Sequence, residues 1–236
     1  MTKGAWLLIV AVSASTLACG RSDSAAVGND ARVETATTGA RPAAAPAPPA
    51  QAPARPRIVF LGDSLTAGLG LPTEQSVPSL IQKRLEDEDY EYEVVNAGVS
   101  GDTSAGGLSR LDWSLEGDVK VLVIELGAND GLRGLPPQAM KQNISEIITR
   151  AKRRGIVVLL TGMEAPPNYG AAYTTEFRQV FRDLALDHGV AFIPFFLEGV
   201  AGLPHLNLSD GIHPNSEGAR IIERAIWTQL EPLLDD

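Results

Sequence analysis

The chain has 236 residues, with 20 Lys and Arg against 29 Asp and Glu, a formal charge of −9. That balance argues against a nucleic-acid partner, whose phosphates need clustered cations, and is read as a device for solubility. A single cysteine rules out an internal disulfide, and three histidines leave few ligands for a His-rich metal centre. Apolar residues make up 44% of the chain, ordinary for a globular core.

The first elements in chain order are not part of that core. Lys3 precedes a largely apolar or small-residue run, Ala5 to Ala18, that ends at Cys19. The run suits the apolar region of a secretory signal and is short for a membrane span. A cysteine at that place resembles the lipobox of bacterial lipoproteins, although Thr16 stands three residues before it, where leucine is usual. Residues 1–19 are therefore expected to be a signal segment with Cys19 as the lipidation site, which implies export and a membrane tether. Plain secretion is the competing reading. Residues 20–56 are rich in Ala, Pro, Gly, Ser and Thr and lack apolar periodicity. Such a composition buries too little surface to offset backbone ordering, so this stretch is expected to be a linker.

From Arg57 to the C-terminus the pattern changes to that of one folded domain, 57–236. Apolar runs at 57–61, 92–98, 119–126, 156–162 and 190–196 read as strands. The run at 119–126 is nearly continuous, as in a central parallel strand covered on both faces. Helical spacing occupies 76–88, 102–115 (weakened by a glycine pair), 137–154, 172–189 and 216–234, with Gly155 and Gly189 placed as stops. Five alternations of strand and helix predict an α/β doubly wound layer structure. In such folds ligands bind beyond the carboxyl ends of the strands.

Four polar or glycine-rich motifs fall at those ends or just before the last helix. Ser64, in Gly62-Asp63-Ser64-Leu65, follows the first strand. It is a candidate nucleophile, and a helix N-cap is the competing reading. The elbow Gly-x-Ser-x-Gly is absent, because Thr66 occupies the second glycine place. Asp210 and His213, in Asp210-Gly211-Ile212-His213-Pro214, are spaced to face each other on one turn. The imidazole then turns one nitrogen to the carboxylate and the other to a serine. A simple Asp-Gly turn with a surface histidine is the alternative. Asn129 closes the third strand and Gly101 follows the second. The Ser64 and Gly101 N–H groups and the Asn129 amide are candidates for an oxyanion hole. No cofactor or metal is called for.

These blocks, in this order, resemble the GDSL or SGNH hydrolase family, whose name letters match Ser64, Gly101, Asn129 and His213. The similarity runs from about Ile58 onward and is strongest to the bacterial branch of thioesterase, protease and lysophospholipase I, also called arylesterase. It is carried by FLGDSLTAG, VVNAGVSGDTS, ELGANDGLRGL, PPNYG, PFF and DGIHPN. The resemblance implies a flavodoxin-like three-layer α/β/α sandwich with a five-stranded parallel sheet. It also implies hydrolysis of carboxylic esters, and sometimes thioesters, through an acyl-enzyme on Ser64, with His213 as base then acid and Asp210 orienting it. Expected substrates are small acyl esters or lysophospholipids, and the protein is expected to be a monomer. Asn168 and Tyr169, in PPNYG, are candidate substrate contacts. Asp63 and Asp130 are expected to anchor loops, while His188 and His205 are expected at the surface. A carbohydrate O-acetyl esterase and a non-catalytic surface-binding lipoprotein are the alternatives.

Overall fold

The computed structural model describes residues 55–234. The signal segment expected at 1–19, including Cys19, and the linker expected at 20–56, apart from its last two residues, lie outside the described residues.

Five strands form one parallel sheet: β1 (Arg57–Gly62), β2 (Glu93–Gly98), β3 (Val119–Glu125), β4 (Val157–Thr161) and β5 (Ala191–Ile193). Their order is β2-β1-β3-β4-β5, and every neighbouring pair is parallel. This is the flavodoxin-like order, in which the winding direction reverses between β1 and β3 and leaves a crevice there. Among the described residues eight α-helices connect or flank the strands: α1 (Ser64–Ala67), α2 (Val77–Asp87), α3 (Ser104–Ser109), α4 (Leu111–Ser114), α5 (Ala128–Leu132), α6 (Pro137–Arg153), α7 (Gly170–His188) and α8 (Ser216–Leu230). Helix α2 packs beside α8, while α3, α6 and α7 lie side by side. The apolar residues of β1 and β3 are buried from both sides, among them Ile58, Phe60, Leu122 and Ile124. That burial is why these strands read as unbroken apolar runs instead of alternating ones.

The predicted elements differ from the observed ones at several places, among them the last helix, which ends at Leu230 and not at 234. The fifth strand stops at Ile193 and does not reach 196, because Pro194 has no N–H to continue the ladder. The chain turns there, and Phe196 N–H instead donates to the Gly162 carbonyl at 2.9 Å. The helix expected over 102–115 divides at Arg110, which leaves helical geometry. The guanidinium of Arg110 reaches the carbonyls of Gly62 (2.8 Å) and Ala97 (2.7 Å) and the carboxylate of Asp102 (2.6 Å). It thereby ties together the ends of β1 and β2. Helix α5 was not visible as periodicity, since five residues span little more than one turn.

The crevice depends on close approach of α1 to β2. A Cβ added at Gly98 would lie 2.8 Å from both Ala67 Cα and the Thr66 carbonyl carbon. Backbone atoms give way less readily than flexible side-chain ends. Gly98→Ala is therefore expected to destabilise the domain by about 1–3 kcal/mol, as overpacked sites do, read as a lower thermal midpoint with an unchanged far-ultraviolet circular dichroism spectrum.

Candidate active site

Strand β1 delivers the chain to a sharp turn. Asp63 is the N-cap of α1, its Oδ1 accepting the Leu65 N–H at 3.0 Å. The capping role considered for Ser64 thus belongs to its neighbour, and Ser64 opens the helix with its hydroxyl uncommitted to capping. Gly68, in left-handed conformation (φ 75°), ends the helix after one turn.

The segment before α8 brings the imidazole to that hydroxyl. Asn207 and Pro214 form an isolated antiparallel bridge, and Leu208 N–H donates to the His213 carbonyl at 2.7 Å. Asn215 caps α8 by accepting from the N–H groups of Glu217 and Gly218. Between these anchors, Asp210 Oδ1 accepts the N–H groups of Ile212 (2.9 Å) and His213 (3.0 Å). Its Oδ2 lies 2.7 Å from His213 Nδ1. A carboxylate can only accept there, so Nδ1 carries the proton and Nε2 of the neutral ring is an acceptor. Ser64 Oγ, 2.9 Å from Nε2, is placed to donate to it. The Ile212 N–H, followed by the His213 ring, holds the Asp210 carboxyl well below its usual range, at about 2. The side chain of His213 is 15% exposed, that of Asp210 44%.

Asn129 lies on α5, just past β3. Its Nδ2 donates to Asp63 Oδ2 at 3.0 Å, which fixes which end of the amide faces Asp63 and leaves the second N–H of Nδ2 for another acceptor. Gly101 has φ 87°, a conformation natural to glycine. Its carbonyl accepts from Arg133 Nη2 at 2.8 Å, so α5 also anchors the Gly101 loop. Asp130 is buried, and its carboxylate accepts the Ser104 N–H (2.7 Å) and hydroxyl (2.6 Å). Burial raises the Asp63 carboxyl above its ordinary range, opposed by the Leu65 N–H and by donors that include Asn129.

Ser64, Asn129 and His213 line one cavity of about 170 Å³. Its other walls include Leu132, Met163, Pro166, Leu197 and Ile212, together with the carboxylate-bearing Glu164, which is paired with Arg178 at 3.0 Å. Met163, Glu164 and Pro166 fall in MEAPPNYG (163–170), a segment that the sequence places beside the acyl pocket, whereas Leu132, Leu197 and Ile212 were not named individually from the sequence. Asn168 and Tyr169 stand outside this cavity. The Tyr169 hydroxyl donates to the Leu132 carbonyl at 2.9 Å, and its ring meets Tyr173 with centroids 5.2 Å apart. It braces the end of α5 from behind. His188, at the end of α7, is within 2.8 Å of the Ser145 hydroxyl, and His205 is exposed. Two residues that sequence reasoning passed over, Arg110 and Glu125, hold the motifs together. The signs of Glu125 were a lone acid in the apolar run 119–126 and its place at the head of the block ELGANDGLRGL.

Among the described residues no three or more His, Cys, Asp or Glu side chains gather as a metal site. The profile of the GDSL-like Lipase/Acylhydrolase family matches residues 60–221. The chain is 47% identical to Esterase TesA of Pseudomonas aeruginosa over 178 residues, 75% of this chain and 89% of that protein. It is 36% identical to Thioesterase 1/protease 1/lysophospholipase L1 of Escherichia coli K12 over 186 residues, 78% and 88% of the two chains. A crystal structure of TesA superposes with a TM-score of 0.73 at 46% identity, covering 75% of this chain and 99% of the other. The parallel sheet, its order and these likenesses agree on the SGNH-hydrolase fold, and the chain belongs to the GDSL-like lipase/acylhydrolase family as a carboxylic-ester hydrolase.

Proposed function

We propose that the protein hydrolyses small acyl esters through a covalent acyl-enzyme on Ser64, with short-chain aryl esters and acyl thioesters as its main substrate classes and long-chain lysophospholipids as its slowest. The observation that carries this reading is the continuous relay Ser64 Oγ, His213 Nε2 and Nδ1, Asp210 Oδ2, with steps of 2.9 and 2.7 Å, opening into an apolar cavity. Ser64 Oγ attacks the acyl carbon as its proton passes to Nε2. The tetrahedral oxyanion takes hydrogen bonds from the Ser64 and Gly101 N–H groups and from Asn129 Nδ2. His213 then returns the proton to the leaving alcohol or thiol. Water repeats the sequence to free the acid. Asp210 stays ionised throughout, keeps Nδ1 protonated and stabilises the imidazolium.

A cavity of about 170 Å³ is small beside the 300–1,000 Å³ typical of drug-sized sites. A p-nitrophenyl ester series from acetyl to palmitoyl is therefore expected to peak at short chains, with kcat/KM falling toward palmitoyl. A profile that rises to palmitoyl would contradict the cavity as the acyl site. Activity confined to acetylated glycans would move the reading to a carbohydrate O-acetyl esterase. Asn129→Ala removes one oxyanion donor and is expected to lower kcat about 10²–10³-fold with little change in KM; a rise in KM alone would place Asn129 in substrate binding.

The residues before the domain extend this reading. Lys3, the apolar run to Ala18 and Cys19 support export, with the hydrolase domain from residue 57 onward held to a membrane by a lipidated Cys19 through the Ala/Pro-rich segment.

A further inference from the structure

Beneath the Ser64 turn lies a second acid that the relay does not use. Glu125 is the last residue of β3, paired in register with Gly62 of β1, and it is 1% exposed. Its Oε2 accepts the Asp63 N–H (3.3 Å) and the Thr66 hydroxyl (2.9 Å). Its Oε1 is buried and meets no donor, while the Glu125 and Asp63 carboxyls lie within hydrogen-bond reach of each other. Asp63, itself wholly buried, accepts from the Leu65 N–H and from Asn129. Arg110, the cation that reaches the end of β1, binds the Gly62 carbonyl and is paired with Asp102. Glu125 has no ion pair among the described residues. Two buried acids so placed cannot both ionise, because each charge disfavours the other and neither is in an ion pair among the described residues that would offset desolvation. Asp63 is the better site for the charge, since both of its oxygens receive a donor. A hydrogen on Glu125 Oε1 gives that oxygen a donor's role in place of an unmet acceptor's.

We infer that Glu125 is a protonated positioning residue, an internal acid that hydrogen-bonds the Asp63 carboxylate and so fixes the Asn129 amide for the oxyanion. This rests on the acyl-enzyme reading above. Burial raises the Glu125 carboxyl well above its ordinary range, with the Asp63 charge adding to the effect. The chain of contacts runs from Glu125 through Asp63 to Asn129, and in parallel from Glu125 through Thr66 and the Asp63 N–H to the turn that presents Ser64. Glu125 touches no substrate. Its effect is expected on turnover, where oxyanion alignment acts, and not on substrate affinity.

The test compares Glu125→Gln with Glu125→Leu in the full chain. Gln keeps a neutral group with one acceptor and one donor end. It is expected to hold kcat within about threefold of wild type, whereas Leu is expected to lower kcat about 10–100-fold at nearly constant KM, short of the full loss of one oxyanion donor. Equal losses in both variants would overturn the inference, because they would mean that an ionised Glu125 is needed. Infrared spectroscopy at neutral pH gives an arm independent of folding of the Leu variant and of activity. Wild type and Asp63→Asn should show the carbonyl band of a buried protonated carboxyl, absent in Glu125→Gln. A band that survives Glu125→Gln, or that is missing from wild type, would overturn the inference. Treatment with diethyl p-nitrophenyl phosphate separates the two readings. If wild type is not modified at Ser64, the acyl-enzyme reading fails, and the infrared arm still decides the protonation of Glu125.

Discussion

Ser64→Ala is expected to lower kcat on p-nitrophenyl esters by roughly 10⁴-fold or more, while the domain stays folded. The size of the effect follows from what the hydroxyl does. It is the only atom removed, and its one hydrogen-bond partner among the described residues is His213 Nε2. The α1 turn does not rely on it, since Asp63 supplies the cap and the Leu65 contact. The substitution leaves no buried group larger than the serine it replaces, so no overpacking follows. Residual activity would come from the oxyanion donors and the cavity, which the substitution leaves in place. The measurement is steady-state kinetics beside a thermal midpoint. A variant as active as wild type would remove Ser64 from the chemistry.

Asp210→Asn is expected to cost about 10³–10⁴-fold in kcat, somewhat less than loss of the nucleophile. Asparagine can still accept the Ile212 and His213 N–H groups through one oxygen, so the segment should keep its course. What changes is the ring. An amide NH₂ facing Nδ1 favours the tautomer with hydrogen on Nε2, and Nε2 then cannot take the serine proton. The 44% exposure of the Asp210 side chain lets water stand in for part of the lost charge, hence the lower end of the range. The same carboxylate bears on acidity. Its pKa is depressed to about 2, below the value of about 3.9 in an unfolded chain. Its contribution to stability is therefore complete above that unfolded value and fades as the pH falls through about 2. On mild acidification, above about pH 4, Asp210 should thus add no step of its own to the kcat/KM profile. A carboxyl titration of Asp210 in that range, followed by nuclear magnetic resonance, would contradict the assignment.

The elements legible in the sequence were those whose burial imposes a pattern. β1 and β3 are covered on both faces, and their apolar runs could be placed to within a residue or so. α6 and α7 have long apolar stripes and glycine stops, and their ends were close to those observed. The motifs around Ser64, Gly101, Asn129 and His213 were legible for a different reason: polar and glycine residues interrupt the apolar pattern where the strands end. What stayed hidden depends on distant partners. Glu125 reads as an ordinary polar strand end, and only the fold places it against Asp63 and Thr66, 62 and 59 residues away. The cavity walls Leu132, Leu197 and Ile212 come from three separate segments and share no periodicity. Tyr169 is a candidate substrate contact because it sits in a motif, and only the fold shows that its ring covers Gly134 and its hydroxyl serves the Leu132 carbonyl. The early end of β5 was written in Pro194, outweighed in the reading by the apolar residues around it.

The central claim, a covalent intermediate on Ser64, is tested most directly by mass spectrometry of the protein after brief reaction with diethyl p-nitrophenyl phosphate, followed by peptide mapping. One added diethylphosphoryl group per chain is expected, carried by the peptide containing Ser64, with its formation abolished in Ser64→Ala and slowed in Asp210→Asn. An unmodified protein that still hydrolyses p-nitrophenyl esters, or a label on any other residue, would contradict it.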